Sequence, residues 1–195
     1  MIRCARAGSS FAEHWIADAD VVCNHPRAGR LDRYTRLAVS AAQALLAGAP
    51  AVANPVDLGV FLASEWGSFA ANADHWAVVS SGGVASPLIF PATVPSAAAG
   101  EVAMLLGAMG PNVTLVGGAE ALVPIARASL AAGDCGAAIV GVVDAWHPRM
   151  AALGLDWHTH DGACLALFTA ASAWNVPFRP APSALLAFSL ALQAQ

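Results

Sequence analysis

The sequence predicts an α/β fold, a layered sheet with helices on its faces. Two observations carry that reading. Short continuous apolar runs recur, "DLGVFLAS" (57–64), "AAIVGVVDAW" (137–146) and "GACLALFTAAS" (162–172). Uninterrupted apolar runs of this length mark strands buried on both faces. Segments with apolar residues at helical spacing lie between them. Buried strands that alternate with helices pack as layers around one core.

Residues 1–30 mix turn residues with no clear period. In "RLDRYTRLAVSAAQALLAGAP" (30–50), Leu37, Ala41, Ala44 and Leu45 follow helical spacing, and Gly48 with Pro50 ends the helix. Residues 57–64 form the first buried strand. "EWGSFAANADHWAVVSSGG" (65–83) reads as part helix, with a turn at 80–83. "ASPLIFPATVPSAAAG" (85–100) carries Pro87, Pro91 and Pro95. Proline at every fourth position forbids a regular helix, so an extended loop is expected. "AAAGEVAMLLGAMG" (97–110) is a helix with Val102, Leu105, Leu106 and Met109 on one stripe, stopped by Gly110 and Pro111. "NVTLV" (112–116) is a strand rich in β-branched residues. A helix over 120–132 tolerates Pro124 in its first turn and ends at Gly133. Two further buried strands complete the order.

The 195 residues suffice for one domain, taken as 1–195. Hydrophobic residues make up 57% and charged residues 11%, well below the usual quarter. Polar surface is therefore scarce, and a chain that buries an interface patch fits this composition better than a free monomer. The net charge is −4 and all nine basic residues are Arg. Four of them lie between Arg27 and Arg36. That local patch is either a solvated loop or a docking spot for an acidic partner. It is not a nucleic-acid footprint, because the chain as a whole is acidic.

Cys4, Cys23, Cys135 and Cys164 show no CxxC spacing. Reduced thiols and a cytoplasmic setting are expected, with Cys135 and Cys164 as small core residues. "MIRCARAGSSFAEHW" lacks the apolar stretch of a signal peptide. The mean hydropathy of +0.60 raises the question of a membrane. The apolar, uncharged run "GACLALFTAASAWNVPF" contains Gly162, Asn175 and Pro177. It falls short of the roughly 20 apolar residues that a spanning helix needs.

One corner stands out. "MGPNVTLVGGAEALVPIARASLAAGD" (109–134) reads as turn, strand, Gly-Gly corner and helix. Strand–corner–helix units often hold up a nucleophile. This corner reads Gly117, Gly118, Ala119, Glu120, with no Cys, Ser or Thr.

Taken in order, "LDRYTRLAVSAAQALL", "ASPLIFPATVPSAAAGEVAMLLGAMGPNVTL", "AAGDCGAAIVGVVDA" and "DGACLALFTAAS" resemble β-ketoacyl synthases. The likeness spans about residues 30–172. It implies the N-terminal half of a thiolase-like fold, a layered mixed sheet flanked by helices. The Pro-rich loop running through Gly110-Pro111 to the corner is its most specific part. In that family the corner carries a catalytic Cys, and here Ala119 or Glu120 takes its place. Neither can attack a thioester, because covalent catalysis needs a side chain that becomes a strong nucleophile on losing a proton. The family's second half, with two His residues, has no counterpart in this sequence.

The resemblance therefore implies a subunit with no catalytic residue, no metal and no cofactor. It is similar to the chain-length-factor subunits of type II polyketide synthases, in the short form of aryl-polyene and xanthomonadin-type pathways. Such a subunit pairs with an active ketosynthase and shapes the tunnel for a growing acyl chain, which an acyl carrier protein delivers to the partner. On that reading 112–116 is the edge where two sheets join, with Asn112, Thr114 and Val116 as interface candidates. Ile89 and Phe90 are candidates for lining the tunnel, against ordinary apolar packing.

Rival sites deserve equal statement. In "DWHTHDG" (156–162), His158 and His160 on an extended strand would point the same way. With Asp161 or Asp144 they would bind zinc or another transition metal and suit a stand-alone metal-dependent hydrolase, or the stretch is a surface loop. His147, between Trp146 and Pro148, reads as a turn residue. Ser80 or Ser81 with His75 would make a nucleophile and base, but no Gly-x-Ser-x-Gly elbow surrounds them. Glu120 suits a helix N-terminus on electrostatic grounds alone. A homodimeric acyl-binding module is the remaining alternative.

Overall fold

The sequence alternation sorts the core into two halves. The computed structural model describes residues 3–4, 14–15, 23–48, 54–154 and 162–170. Its strands are β1 (Arg3–Cys4), β2 (His14–Trp15), β3 (Leu58–Ser64), β4 (Asn112–Val116), β5 (Ala137–Asp144) and β6 (Gly162–Thr169). Its helices are α1 (Arg33–Gly48), α2 (Phe69–Ser80), α3 (Ala97–Leu106), α4 (Leu122–Ala132) and α5 (Pro148–Ala152). The strands lie in the order β1-β2-β6-β5-β3-β4. β4, β3 and β5 run parallel, while β6, β2 and β1 add antiparallel. The sheet is mixed and helix-flanked, as expected.

Successive side chains of a strand point to opposite faces. Val60, Leu62, Ile139, Val143, Leu165 and Leu167 pack with α1 and α3 on one face. Phe61, Ala63, Val140, Val142, Ala166 and Phe168 pack with α4 on the other. Every residue of β3 is buried, which is why the run is apolar without alternation. Cys135 and Cys164 are buried among these side chains, as expected.

Several boundaries differ from the sequence reading. β1 and β2 belong to the sheet, although residues 1–30 show no strand period; each is two residues long. The strand read as 57–64 starts at Leu58. Asp57 closes a short 3-10 turn set by Pro55 and by the Asn54 side chain, which accepts from Val56 N. The extended loop at 85–96 contains a one-turn 3-10 helix, Phe90–Thr93, a form that Pro91 permits near its start. α3 ends at Leu106 because Gly107 takes a left-handed conformation (φ 66). Met109 therefore leaves the predicted stripe and is exposed. In α1, Leu37, Ala41 and Leu45 are buried, while Ala44 is half-buried.

Gly141, in the middle of β5, marks a close approach. A Cβ there would collide with the carbonyl of Cys164 and the side chain of Leu165 on β6. The obstacle is backbone, so it does not yield cheaply. We expect Gly141→Ala to destabilise the fold by at least about 1–3 kcal/mol, the usual cost of overpacking. Urea unfolding would show the midpoint falling, and an unchanged midpoint would contradict this packing.

Candidate functional site

Open sheets with parallel strands gather ligands at the strands' carboxyl ends. Here those ends are Ser64 of β3, Val116 of β4 and Asp144 of β5. Asp144 is 3% exposed. Its Oδ1 accepts from Ser64 Oγ (2.6 Å), Glu65 N (2.9 Å) and Trp66 N (3.3 Å). Ser64 Oγ in turn accepts from Gly67 N at 2.6 Å, and Ser64 O accepts from Gly117 N at 2.9 Å. The carboxyl thus ties the end of β5 to the end of β3, and the β3 backbone at Ser64 in turn holds the residue that follows β4.

Burial pushes the Asp144 carboxyl up to about 7, against the pull of the Ser64, Trp66 and Glu65 donors, with the Glu65 charge adding to the rise. The unfolded chain loses this proton near 3.8, whereas the folded chain holds it until about 7. Between those values the group subtracts stability as pH rises, by at most about 1.4 kcal/mol per unit. Tyr34 of α1 is buried beside this network. Its hydroxyl faces Ser64 in a geometry short of a hydrogen bond and has no other partner. Burial makes the phenol a weaker acid than usual by pushing its pKa up, and the Asp144 charge pushes it further.

The Gly-Gly corner follows β4. Gly117 (φ 72) and Gly118 (φ 58) both lie in the left-handed region that favours glycine. A 3-10 turn, Ala119–Ala121, then leads into α4. The Ala119 methyl is buried in the α4-side core. Glu120 is exposed in the first turn, where a carboxylate suits the helix dipole. Pro124 sits in the first turn of α4, as expected.

β4 forms an edge of the sheet. Asn112 Nδ2 donates to Ala99 O of α3 at 3.0 Å, which ties down the start of that edge. Thr114 Oγ1 is buried without a partner, and Val116 is 56% exposed. Nearby segments expose large apolar side chains, among them Trp76 at 63% and Phe90 at 61%. Ile89 is exposed as well. The Phe90 ring meets His75 edge-on.

The rival groupings do not assemble. Ser80 and Ser81 hydroxyls bond back to Ala77 O and Val78 O of their own helix, away from any use of His75 as a base. His147 caps α5, its Nδ1 accepting from Arg149 N, while Nε2 meets Asp74 Oδ1 at 3.0 Å. It is a turn residue, as read from the sequence. His158, His160 and Asp161 lie outside the described residues. Among the described residues no group of three or more His, Cys, Asp or Glu could hold a metal, and Asp144 is committed to the corner. In the basic patch, Arg27 pairs with Glu101 of α3 at 2.7 Å, so part of that charge is spent within the chain. Among the described residues no helix is long and apolar enough to cross a membrane.

The model of the β-ketoacyl synthase N-terminal domain matches residues 5–168. The chain belongs to the β-ketoacyl synthase family. Three solved structures place this synthase-like chain in its fold. The ishigamide ketosynthase/chain length factor is 24% identical, with a TM-score of 0.67, over 82% of this chain and 50% of that one. A type II polyketide synthase acyl-carrier protein in complex with its ketosynthase bound to the hexaketide gives 14% identity and a TM-score of 0.63, over 79% and 52%. A ketosynthase in complex with its chain length factor from Xenorhabdus doucetiae gives 17% identity and a TM-score of 0.58, over 75% and 63%. This chain therefore spans about half to two thirds of the structures it resembles. No curated protein matches it significantly.

The unpartnered Tyr34 hydroxyl makes a sharp prediction. Removing a buried donor that bonds to nothing relieves a desolvation cost. Tyr34→Phe should leave stability unchanged or raise it by up to about 1 kcal/mol in denaturant unfolding. A loss above about 2 kcal/mol would mean that the hydroxyl holds a bond.

Proposed function

We propose that this chain is a non-catalytic, chain-length-factor-type subunit that pairs with an active β-ketoacyl synthase. The observation that carries the reading is the corner itself. It keeps the strand–glycine–helix geometry but presents a buried methyl at Ala119 and an exposed acid at Glu120. Acyl transfer needs a thiolate or alkoxide at such a place, so bond-making falls to the partner. We take 1–195 as a single synthase-like domain that acts in the cytoplasm without a cofactor. Two similar structures are of a ketosynthase with a chain length factor, which supports this division of labour.

The β4 edge suits the pairing. An edge strand leaves N–H and C=O groups open, and a matched strand from the partner satisfies them. Asn112, Thr114 and Val116 would lie at that joint. Ile89 and Phe90, exposed next to α2, would cover part of the partner's acyl tunnel. A growing polyketide or fatty acyl chain would enter on an acyl carrier protein bound by the partner. The apolar surface buried there would contribute roughly 25 cal/mol per Å² before the costs of association.

Co-expression with a ketosynthase tests the reading. A stoichiometric complex should form, and the chain alone should not become acylated by malonyl or acyl thioesters in intact-mass measurements. Val116→Arg puts a charge at the joint and should weaken the complex at least tenfold while leaving the isolated chain folded. A partner that makes full-length product at an unchanged rate without this chain would overturn the role.

A further inference from the structure

Phe90, given a place at the acyl tunnel above, opens a 3-10 helix of one turn, Phe90–Thr93. A single turn of that kind is too short to hold itself. Its support comes from the start of α2. Thr93 O accepts from the Ser68 hydroxyl at 2.6 Å and from Asn72 Nδ2 at 3.0 Å. The same Nδ2 also reaches Ser68 Oγ at 2.9 Å and Ser68 O at 3.1 Å. Ser68 is buried, so its bond is shielded from competing water. One turn further along α2, the His75 ring meets the Phe90 ring edge-on, with centroids 6.3 Å apart. Ser68, Asn72 and His75 follow one another at helical spacing and so share one face of the helix. That face is the seat of the Phe90 turn.

The rest of the loop is braced as well. Ser86 O accepts from Ile89 N and Phe90 N, and Ser86 Oγ accepts from Leu88 N. Thr93 Oγ1 donates back to Phe90 O at 2.7 Å. Pro95 lies so near Gly67 that a Cβ added to that glycine would touch it. The stem is therefore fixed, and its apex carries three exposed apolar side chains, Leu88, Ile89 and Phe90. We propose that Ser68 and Asn72 are positioning residues: they set the height of the Phe90 turn, and through it the length of acyl chain that the partner's tunnel accepts. This rests on the tunnel-covering role given to Phe90 above. Neither residue touches the acyl chain, and both act through the carbonyl of Thr93. With one donor gone, the turn hangs on a single bond and the ring can retreat from the tunnel. One methylene in an apolar pocket is worth about tenfold or more in discrimination, so a small retreat admits a longer chain.

Condensation by the complex with its ketosynthase, an acyl carrier protein and malonyl thioester reads the length by mass spectrometry. Asn72→Asp keeps the side chain's size but puts an acceptor where the donor was. It should raise the ratio of the next longer product to the normal one by roughly tenfold, with total condensation held within about twofold. Ser68→Ala should shift the products the same way, and Ser68→Thr, which keeps the hydroxyl, should retain the normal length. Asp74→Asn breaks the other tie of α2, to His147, and should leave the products unchanged. Lower turnover with an unchanged length distribution in Asn72→Asp, or the same shift in Asp74→Asn, overturns the proposal. If Asn72→Asp does not fold, Ser68→Ala decides. Amide hydrogen exchange on the isolated chain judges the seat without the partner. Protection of the Phe90 and Ala92 amides should fall roughly tenfold in Asn72→Asp, about the weight of one hydrogen bond, and unchanged protection rejects it. Phe90→Ala separates the proposal from the role beneath it. Longer products in Phe90→Ala but not in Asn72→Asp sink the positioning claim alone. Unchanged products in Phe90→Ala refute the tunnel role of Phe90 and the length claim together. Absence of any complex refutes the subunit role and the length claim, while the exchange result still judges the seat.

Discussion

Three parallel strands end together in this molecule; one carboxyl oxygen joins the ends of β5 and β3, and the backbone of Ser64 joins the end of β4 to them. Loops at the ends of parallel strands leave backbone N–H groups without ladder partners, and buried ones need an acceptor. Asp144 supplies it for Glu65 and Trp66, and Ser64 relays it to Gly67. Without that acceptor the β3–α2 corner would bury unpaired donors, each costing about 1–3 kcal/mol. The position of α2, the end of the β4 edge and the approach to the Gly-Gly corner all depend on this turn. Burial of the carboxyl is the cost of the arrangement, and it appears as the raised pKa of Asp144.

The scarcity of charge acquires a location once the fold is known. The exposed face of α2 is rich in apolar side chains: Trp76, Val78 and Val79 are exposed between Asp74 and Ser80. It packs against the turn at Phe90–Thr93, that turn packs against α3, and α3 packs against β4. The exposed apolar side chains thus follow a connected path that ends at an open strand edge. Scattered surface hydrophobes need no explanation, but a connected set next to an unpaired edge marks an interaction surface. The proposed partner would cover this surface, and a free chain would leave it as a liability for aggregation.

The alternation of apolar runs and helical stretches was enough to read the central architecture, because strands buried on both faces carry no polar positions. The family and the mixed, half-domain fold followed from ordered blocks, chiefly the Pro-rich loop and Gly110-Pro111. β1 and β2 were illegible since two residues give no period; their pairing to β6 comes from tertiary context. α5 escaped notice for a similar reason, being one short turn capped by His147. At the site, the glycine corner and the missing nucleophile were plain in the sequence. The Asp144–Ser64 bond was not, since the two residues are 80 positions apart. Its only trace is a polar residue at the end of each of two apolar runs, a pattern that also marks any strand reaching solvent.

The corner without a nucleophile still keeps two consecutive glycines at positive φ. Glycine raises the entropy of the unfolded chain, at roughly 0.5–1 kcal/mol each relative to alanine, so a chain with no use for the bend gains nothing from keeping them. The structure supplies a use that is not catalytic. The bend reverses the chain so that Ala119, Leu122, Val123 and Ala126 land on Phe61 and Val140, and its first amide locks to Ser64 O. Straightening it would detach α4 from the sheet and let the end of β4 drift. On the proposed role, this bend would hold an edge strand in place for the partner to meet. A corner without a nucleophile and a bend that is kept would then be two sides of that proposed role, in which shape rather than reactivity is what this polypeptide contributes.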